Sequence, residues 1–80
     1  MKREIVLYTK ENCPLCQEGK KKLDIVCEKY HQSFQEVDIY QDDSLLERYQ
    51  LMIPVVTIDG RVVSWGNLSL SELEDCLNSP

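Results

Sequence analysis

The stretch Cys13-Pro14-Leu15-Cys16 places two thiols three positions apart, where a segment with helical spacing begins. Residues three apart are neighbours on a helix, so the two cysteines can close a small disulfide with little backbone movement. The unpaired N–H groups and positive dipole end at a helix start favour a thiolate, which predicts a lowered pKa for Cys13. Pro14 suits the first helical position because it has no N–H. The stretch therefore predicts a redox pair, with Cys13 as the nucleophile and Cys16 as the resolving thiol.

The segments around this pair help to distinguish a redox site from a metal site. An isolated CxxC is also typical of half a zinc site, but residues 4–9 favour a buried strand, and a helix follows from the cysteine pair to about Tyr30. A second strand after this helix completes a βαβ setting, which favours redox chemistry for CxxC. Cys27 lies eleven residues after Cys16, which is about 16 Å along a helix axis and too far to share a tetrahedral metal. We therefore expect no metal site.

Length and charge restrict the class of protein. Eighty residues make a single domain, 1–80, with room for one compact site. Fourteen acidic and nine basic residues give a net charge of -5, which argues against a surface that binds nucleic acid. The first apolar run ends at Tyr8, too early for a signal peptide, and no run approaches a membrane span. We expect a cytoplasmic protein with no nucleic-acid or membrane partner. A secreted two-disulfide module is the alternative that four cysteines allow.

The remaining elements are predicted from spacing and turn chemistry. They are a strand at 34–39, a short helix at 44–49, two strands at 53–58 and 61–65, and a closing helix. Asp59-Gly60 supplies the two-residue turn of a hairpin between the last two strands. Ser44 with Glu47, and Ser69 with Glu72, have capping-box spacing, which predicts that the two serines begin the last two helices. The predicted order is β-α-β-α-β-β-α.

This order, with CxxC at the first strand-to-helix junction and Ile53-Pro54 opening the third strand, resembles the thioredoxin superfamily and, within it, the glutaredoxins. A family of small bacterial-type glutaredoxin-like proteins is closer still, with an aromatic-plus-glycine ending like Trp65-Gly66. The resemblance implies an α/β thioredoxin fold whose four-stranded mixed sheet has spatial order 4-3-1-2 and helices on both faces. It also implies a cis Ile53–Pro54 bond.

The resemblance also implies where a substrate binds. The substrate-binding residues expected beside the cysteine pair are Lys10, Pro14, Leu15, Ile53, Pro54, Trp65 and Gly66. Two of them have simple alternatives: Lys10 is equally compatible with an ordinary solvated lysine, and Trp65 with an apolar cover over the sheet edge. The Gly-Gly pair and acidic residue that help glutaredoxins hold glutathione are replaced by residues 64–69, and Leu15 replaces an aromatic ring. We therefore expect poor use of glutathione.

The predicted function is thiol-disulfide exchange without a metal or organic cofactor. Its substrate would be a disulfide-containing protein or small molecule, and its reductant thioredoxin reductase or glutathione, with thioredoxin reductase favoured. We expect the protein to act as a monomer. The alternative, from a different class, is a thioredoxin-fold binding or scaffold protein whose cysteines are idle or ligate an iron-sulfur cluster.

Overall fold

The computed structural model describes residues 3–78, and residues 1, 2, 79 and 80 of the predicted domain lie outside that range. The elements are strand β1 (Ile5–Thr9), helix α1 (Pro14–Lys29), strand β2 (Phe34–Asp38), a 3-10 helix (Ile39–Gln41), helix α2 (Asp43–Tyr49), strands β3 (Val55–Ile58) and β4 (Arg61–Trp65), and helix α3 (Leu70–Asn78). Apart from the added 3-10 helix, this is the predicted order. Within the described range, no helix has both the length and the apolar character needed to cross a membrane.

The four strands form one sheet in the order β2-β1-β3-β4, which is the implied order 4-3-1-2 counted from the opposite edge. Strand β1 runs parallel to β2 and antiparallel to β3, and β4 runs antiparallel to β3. The sheet is therefore mixed, as expected. Because β1 is central, its carboxyl end carries the chain directly from the middle of the sheet to the cysteine pair.

Helices cover both faces of the sheet. On one face α1 and α3 bury the larger core, in which Leu7 of β1 meets Leu23 of α1 and Leu73 of α3. On the other face α2 buries Tyr49 against Val55, with Tyr8 packed beside them. The near-continuous apolar character of β1 follows from this arrangement, because its successive side chains point into two different cores.

The hairpin between β3 and β4 has the predicted turn. Asp59 and Gly60 have φ of +52° and +83°, the paired positive values of a type I′ turn. The register shifts between Val56 and Thr57, whose partners are Ser64 and Val62. Strand β4 therefore bulges at Val63 before it reaches Trp65.

Three predicted boundaries are wrong. Strand β2 ends at Asp38, because the Asp38 carboxylate accepts from the Tyr40 backbone N–H at 2.9 Å and begins the 3-10 helix. Strand β3 begins at Val55, so Ile53 and Pro54 lie in the loop before it. Residue Asp42, and not Ser44, caps α2.

The caps of α2 and α3 show how acidic groups change the predicted pattern. The Asp42 carboxylate accepts from the Ser44 N–H at 2.8 Å and from its hydroxyl at 2.7 Å, which begins α2 one residue before Ser44. At α3 the Ser69 hydroxyl accepts from the Glu72 N–H at 3.1 Å, as a capping box requires. The Glu72 carboxylate accepts from the buried Ser64 hydroxyl and does not return to Ser69. Only half of that box is therefore present.

Candidate active site

The two cysteines lie at the first turn of α1. Their sulfurs are within disulfide contact, and their Cα atoms are 5.2 Å apart, inside the range that a disulfide spans. Cys13 is the N-cap residue, and Pro14 occupies the first helical turn. Exposure differs slightly between the two side chains, at 9% for Cys13 and 3% for Cys16. The pair can therefore open and close between dithiol and disulfide at the helix start.

The helix start also presents a hydrogen-bond donor to the Cys13 sulfur. The Cys16 backbone N–H donates to Cys13 Sγ at 3.2 Å, in the position where an N-cap side chain normally accepts. The first turn of α1 contains no acidic side chain that would oppose a negative charge there. Both features stabilise a thiolate at Cys13 once the disulfide is open.

On the β3 side, the loop that carries Pro54 is bound to the end of β4. The Ile53–Pro54 bond is cis, as the resemblance implied. The Gly66 N–H donates to the Pro54 carbonyl at 2.8 Å and to the Met52 carbonyl at 3.0 Å. Trp65 is opposite Val55 in the register of the hairpin. The predicted residues Ile53, Pro54, Trp65 and Gly66 therefore come together in one place.

Helix α1 approaches this loop closely at Gly19. A Cβ at Gly19 would lie 2.8 Å from Leu68 Cδ1 and 3.1 Å from Pro54 Cγ. Leu68 is buried to 2% exposure, and its carbonyl accepts from the Lys22 ammonium at 2.8 Å. The glycine lets α1 pack closely against both residues. Pro54 therefore lies beside α1 at Gly19, one helical turn after Cys16.

Two of the predicted substrate residues are large apolar residues with exposed side chains. Leu15, between the cysteines, is 38% exposed, and Trp65 is 56% exposed. More than half of the Trp65 side chain is therefore open to solvent, which is compatible with both predicted roles, substrate contact and sheet-edge cover. Leu51, before Ile53, is also 92% exposed and was not predicted as part of the site.

On the β2 side, a cleft of about 410 Å³ reaches Cys16. Lys10 lines it, together with Lys20 from α1, Thr9 from β1 and Glu36 from β2. The Lys20 ammonium pairs with Glu36 Oε1 at 3.0 Å, and the Thr9 hydroxyl donates to Glu36 Oε2 at 3.0 Å. Hydrogen bonding to the Lys20 ammonium lowers the pKa of the Glu36 carboxyl, and the same contact raises the pKa of Lys20.

The other two cysteines lie away from the pair. Cys27 is buried in the core under α1, and burial raises the pKa of its thiol to about 11. Cys76 is half-buried on α3, where burial again raises the pKa of the thiol. A buried thiol with a raised pKa is a poor nucleophile, which makes Cys27 inert in this setting. Over residues 3–78, no three His, Cys, Asp or Glu side chains are grouped closely enough to hold a metal ion.

Sequence analysis missed the group formed by Thr9, Lys20 and Glu36. One signal was present, since Lys20 follows Cys16 by four positions and four-residue spacing places side chains on one helix face. Two of the three consecutive lysines make contacts that no local pattern indicates: Lys20 pairs with Glu36, and Lys22 donates to the Leu68 carbonyl. Strand pairing brings in Thr9 and Glu36, and no local pattern indicates that.

A family model described as Glutaredoxin-like domain (DUF836) matches residues 4–78. The X-ray structure of a structural genomics target protein from X. campestris is 27% identical, covers 95% of this chain and 99% of its own, and superposes with a TM-score of 0.78.

Two further structures share the fold at lower identity. A solution NMR structure of a protein from Nitrosomonas europaea is 20% identical, with 95% of this chain and 92% of that chain covered and a TM-score of 0.81. The oxidised thioredoxin from Plasmodium falciparum is also 20% identical, with 96% and 79% covered and a TM-score of 0.64. The α/β architecture is therefore that of the thioredoxin fold.

Proposed function

Because this chain belongs to the Glutaredoxin-like domain (DUF836) family, we propose that it is a thiol-disulfide oxidoreductase that reduces protein or small-molecule disulfides. The observation that carries the proposal is the contact between the Cys13 and Cys16 sulfurs at the first turn of α1. A pair at this position interconverts between dithiol and disulfide without rearranging the sheet or its cores. The small size of the chain is compatible with a monomer.

In the first step, the Cys13 thiolate attacks one sulfur of the substrate disulfide. A bond forms between Cys13 and that sulfur, and the other substrate sulfur leaves as a thiolate that takes up a proton. In the second step, the Cys16 thiolate attacks Cys13 Sγ, and the second substrate sulfur leaves. The substrate has gained two electrons and two protons, and Cys13–Cys16 has become the disulfide.

The residues around the pair give the substrate a place to bind. The loop of Ile53 and Pro54, fixed by the hydrogen bonds from Gly66, offers backbone groups to an extended segment. The exposed side chains of Leu15 and Trp65 offer apolar contact. Lys10, at the β2 side, adds a positive charge to an otherwise acidic protein. We propose this surface as the substrate site.

A titration of the thiols tests the proposed function. The oxidised protein, denatured without reductant, should show two alkylatable thiols and the reduced protein four, with a single equilibrium between them across dithiothreitol buffers. Cys16→Ser should accumulate mixed disulfides with substrate, and Cys13→Ser should form none. A protein that fails to interconvert under any buffer, or that purifies with iron-sulfur colour, would instead support a binding or scaffold role.

The electron donor is a separate proposal. Residues 64–69 contain no acidic side chain. The next acidic residue is Glu72, whose carboxylate accepts a hydrogen bond from the Ser64 hydroxyl. Losing one charge-assisted contact to glutathione costs about 1.5–3 kcal/mol, or roughly ten- to a hundredfold in affinity. We therefore propose thioredoxin reductase as the better donor. NADPH consumption with a model disulfide, measured with each reductase system, tests this, and faster turnover through glutathione would contradict it.

A further inference from the structure

The cleft on the β2 side contains an ion pair that the proposed thiol chemistry does not explain. Lys20 and Glu36 face each other across it at 3.0 Å, although each side chain is only partly covered, at 48% and 39% exposure. The Thr9 hydroxyl, on a residue with 5% exposure, fixes the second carboxylate oxygen. A solvated surface pair has no such buried support. The arrangement holds the Lys20 ammonium at the edge of the cleft.

The cleft matters because Cys16 is one of its walls. With 3% exposure, Cys16 has little contact with bulk solvent, and the cleft is an opening that reaches it. The resolving step needs Cys16 as a thiolate, because the thiol is a poor nucleophile. Burial alone disfavours that charged form. A nearby positive charge would offset the effect of burial.

Lys20 is the side chain placed to supply that charge. It lies one turn after Cys16 on α1, and long helical side chains point back towards the helix N-terminus. Lys20 and Cys16 accordingly line the same cleft. Glu36 reaches the same cleft from β2, a different element.

We propose that the Lys20 ammonium stabilises the Cys16 thiolate in the resolving step, and that Glu36 and Thr9 are positioning residues that hold Lys20 at the cleft. The inference rests on the proposed oxidoreductase function and assigns a role in its second step. The Cys16 proton leaves to water in the cleft. The thiolate electron pair then forms the bond to Cys13 Sγ, and the bond from Cys13 to substrate breaks, with its electron pair leaving on the substrate sulfur.

The alternative role for the same group is proton acceptance by Glu36. Its hydrogen bond to Lys20 lowers the pKa of the Glu36 carboxyl, which makes that carboxylate a weak base for a thiol. The pKa of Lys20 is raised by the same contact, so Lys20 stays charged from neutral to moderately alkaline pH. The remaining charged groups of the cleft are Lys10, Glu11 and Asp38, and they are unchanged in every variant below.

The test isolates the resolving step with a neutral probe. Reduced protein is mixed with one equivalent of 4,4′-dithiodipyridine in a stopped-flow instrument, and release of thiopyridone is followed from pH 5 to 9. The first release reports attack by Cys13, and the second reports resolution by Cys16. A variant in which Cys13 and Cys16 are both replaced by serine measures the background reaction of Cys27 and Cys76. An uncharged probe removes direct attraction to the lysine from the comparison.

Lys20→Met is the main variant, and Lys21→Met is its matched control, with the same charge change on an exposed neighbouring residue. We expect Lys20→Met to slow the second phase about three- to tenfold at pH 7 and to move its pH profile to higher pH. The reason is that one nearby opposite charge, partly screened by solvent, shifts the pKa of a thiol by roughly one unit. Lys20→Arg should restore the rate, and Lys21→Met should leave it unchanged. Circular dichroism checks that each variant is folded.

Glu36→Gln separates the two roles. The glutamine keeps an amide oxygen that can accept from the Lys20 ammonium, so Lys20 stays at the cleft while the counterion and the proton acceptor are removed. The second phase should therefore not slow at pH 7. Slowing of threefold or more would overturn the proposal and make Glu36 the proton acceptor. An unchanged pH profile in Lys20→Met would also overturn it. In both of these results a second phase is still observed. If the wild-type protein shows no second phase at all, the dithiol mechanism itself is refuted.

Discussion

Replacement of Gly19 by alanine should destabilise the protein, although alanine is the better helix former. Gly19 lies within α1, where alanine is favoured by about 1 kcal/mol. The added methyl would meet Leu68 Cδ1 at 2.8 Å and Pro54 Cγ at 3.1 Å. The first distance is shorter than real contacts of a Cβ, so one of the neighbours has to move.

The size of the effect depends on how freely Leu68 and Pro54 can move. Leu68 is 2% exposed, so its side chain has no solvent to turn into, and Pro54 is tied to Gly66 through its carbonyl. Overpacking of this kind costs about 1–3 kcal/mol. After the gain of about 1 kcal/mol in helix propensity, the net loss for Gly19→Ala is about 0–2 kcal/mol.

A double-mutant cycle separates the two contributions. Leu68→Val removes the Cδ atom that the new methyl would strike, at a cost of about 0.5–1.5 kcal/mol. In that background Gly19→Ala should stabilise the protein by about 1 kcal/mol, so the two changes should couple by about 1–3 kcal/mol, which is the size of the overpacking cost. Urea unfolding followed by circular dichroism, with all proteins reduced, measures each side of the cycle. Gly19→Ala that is more stable than wild type when Leu68 is present would refute the close-approach argument.

Three further outcomes are expected. In the reduced protein, Cys27 should react with iodoacetamide at least tenfold more slowly than Cys13 at pH 8, because burial raises its pKa to about 11; mass spectrometry of the labelled peptides measures this, and equal rates would contradict it. Gly66→Ala and Gly60→Ala should each lose about 1–2 kcal/mol of stability, because both residues have positive φ, but only Gly66→Ala should reduce turnover, since Gly66 binds the loop of the active site. The pKa of the Glu36 carboxyl lies below its usual 4.5, so the contribution of Glu36 to stability is complete above pH 4.5 and is lost as the pH falls through the lowered value. Between about pH 6 and 3, wild type should therefore lose more stability than Glu36→Gln, as measured by urea titrations.

Those parts of the fold that depend on local patterns were predictable from the sequence. The Asp59-Gly60 turn needs only two residues with positive φ, and the positions of the strands follow from apolar runs. The order of strands in the sheet came from the resemblance and not from periodicity. The exact start of α2 was missed, because a capping aspartate at Asp42 competes with Ser44 two residues later, and spacing alone does not rank them.

In the candidate site, too, some residues were predictable from local sequence patterns and others only from the folded structure. Cys13 and Cys16 were identifiable because their spacing and setting carry the chemistry themselves. The contact of Gly19 with Leu68 joins residues far apart in the chain, and the pairing of Lys20 with Glu36 joins a helix to a neighbouring strand. Both depend on how α1 sits on the sheet, which only the folded structure shows.

Adjacent residues of α1 thus face the two sides of the candidate site. Gly19 turns towards Pro54 and Leu68, where an extended substrate would bind, and Lys20 turns towards the polar cleft that reaches Cys16. Because the two sides share no contact in the proposed mechanism, a change at Gly19 should alter the attack by Cys13 through displacement of Pro54, while a change at Lys20 should alter only the resolving step. Stopped-flow phases of the two single variants should therefore differ in which phase slows, and slowing of the same phase by both would show that the two sides are not independent.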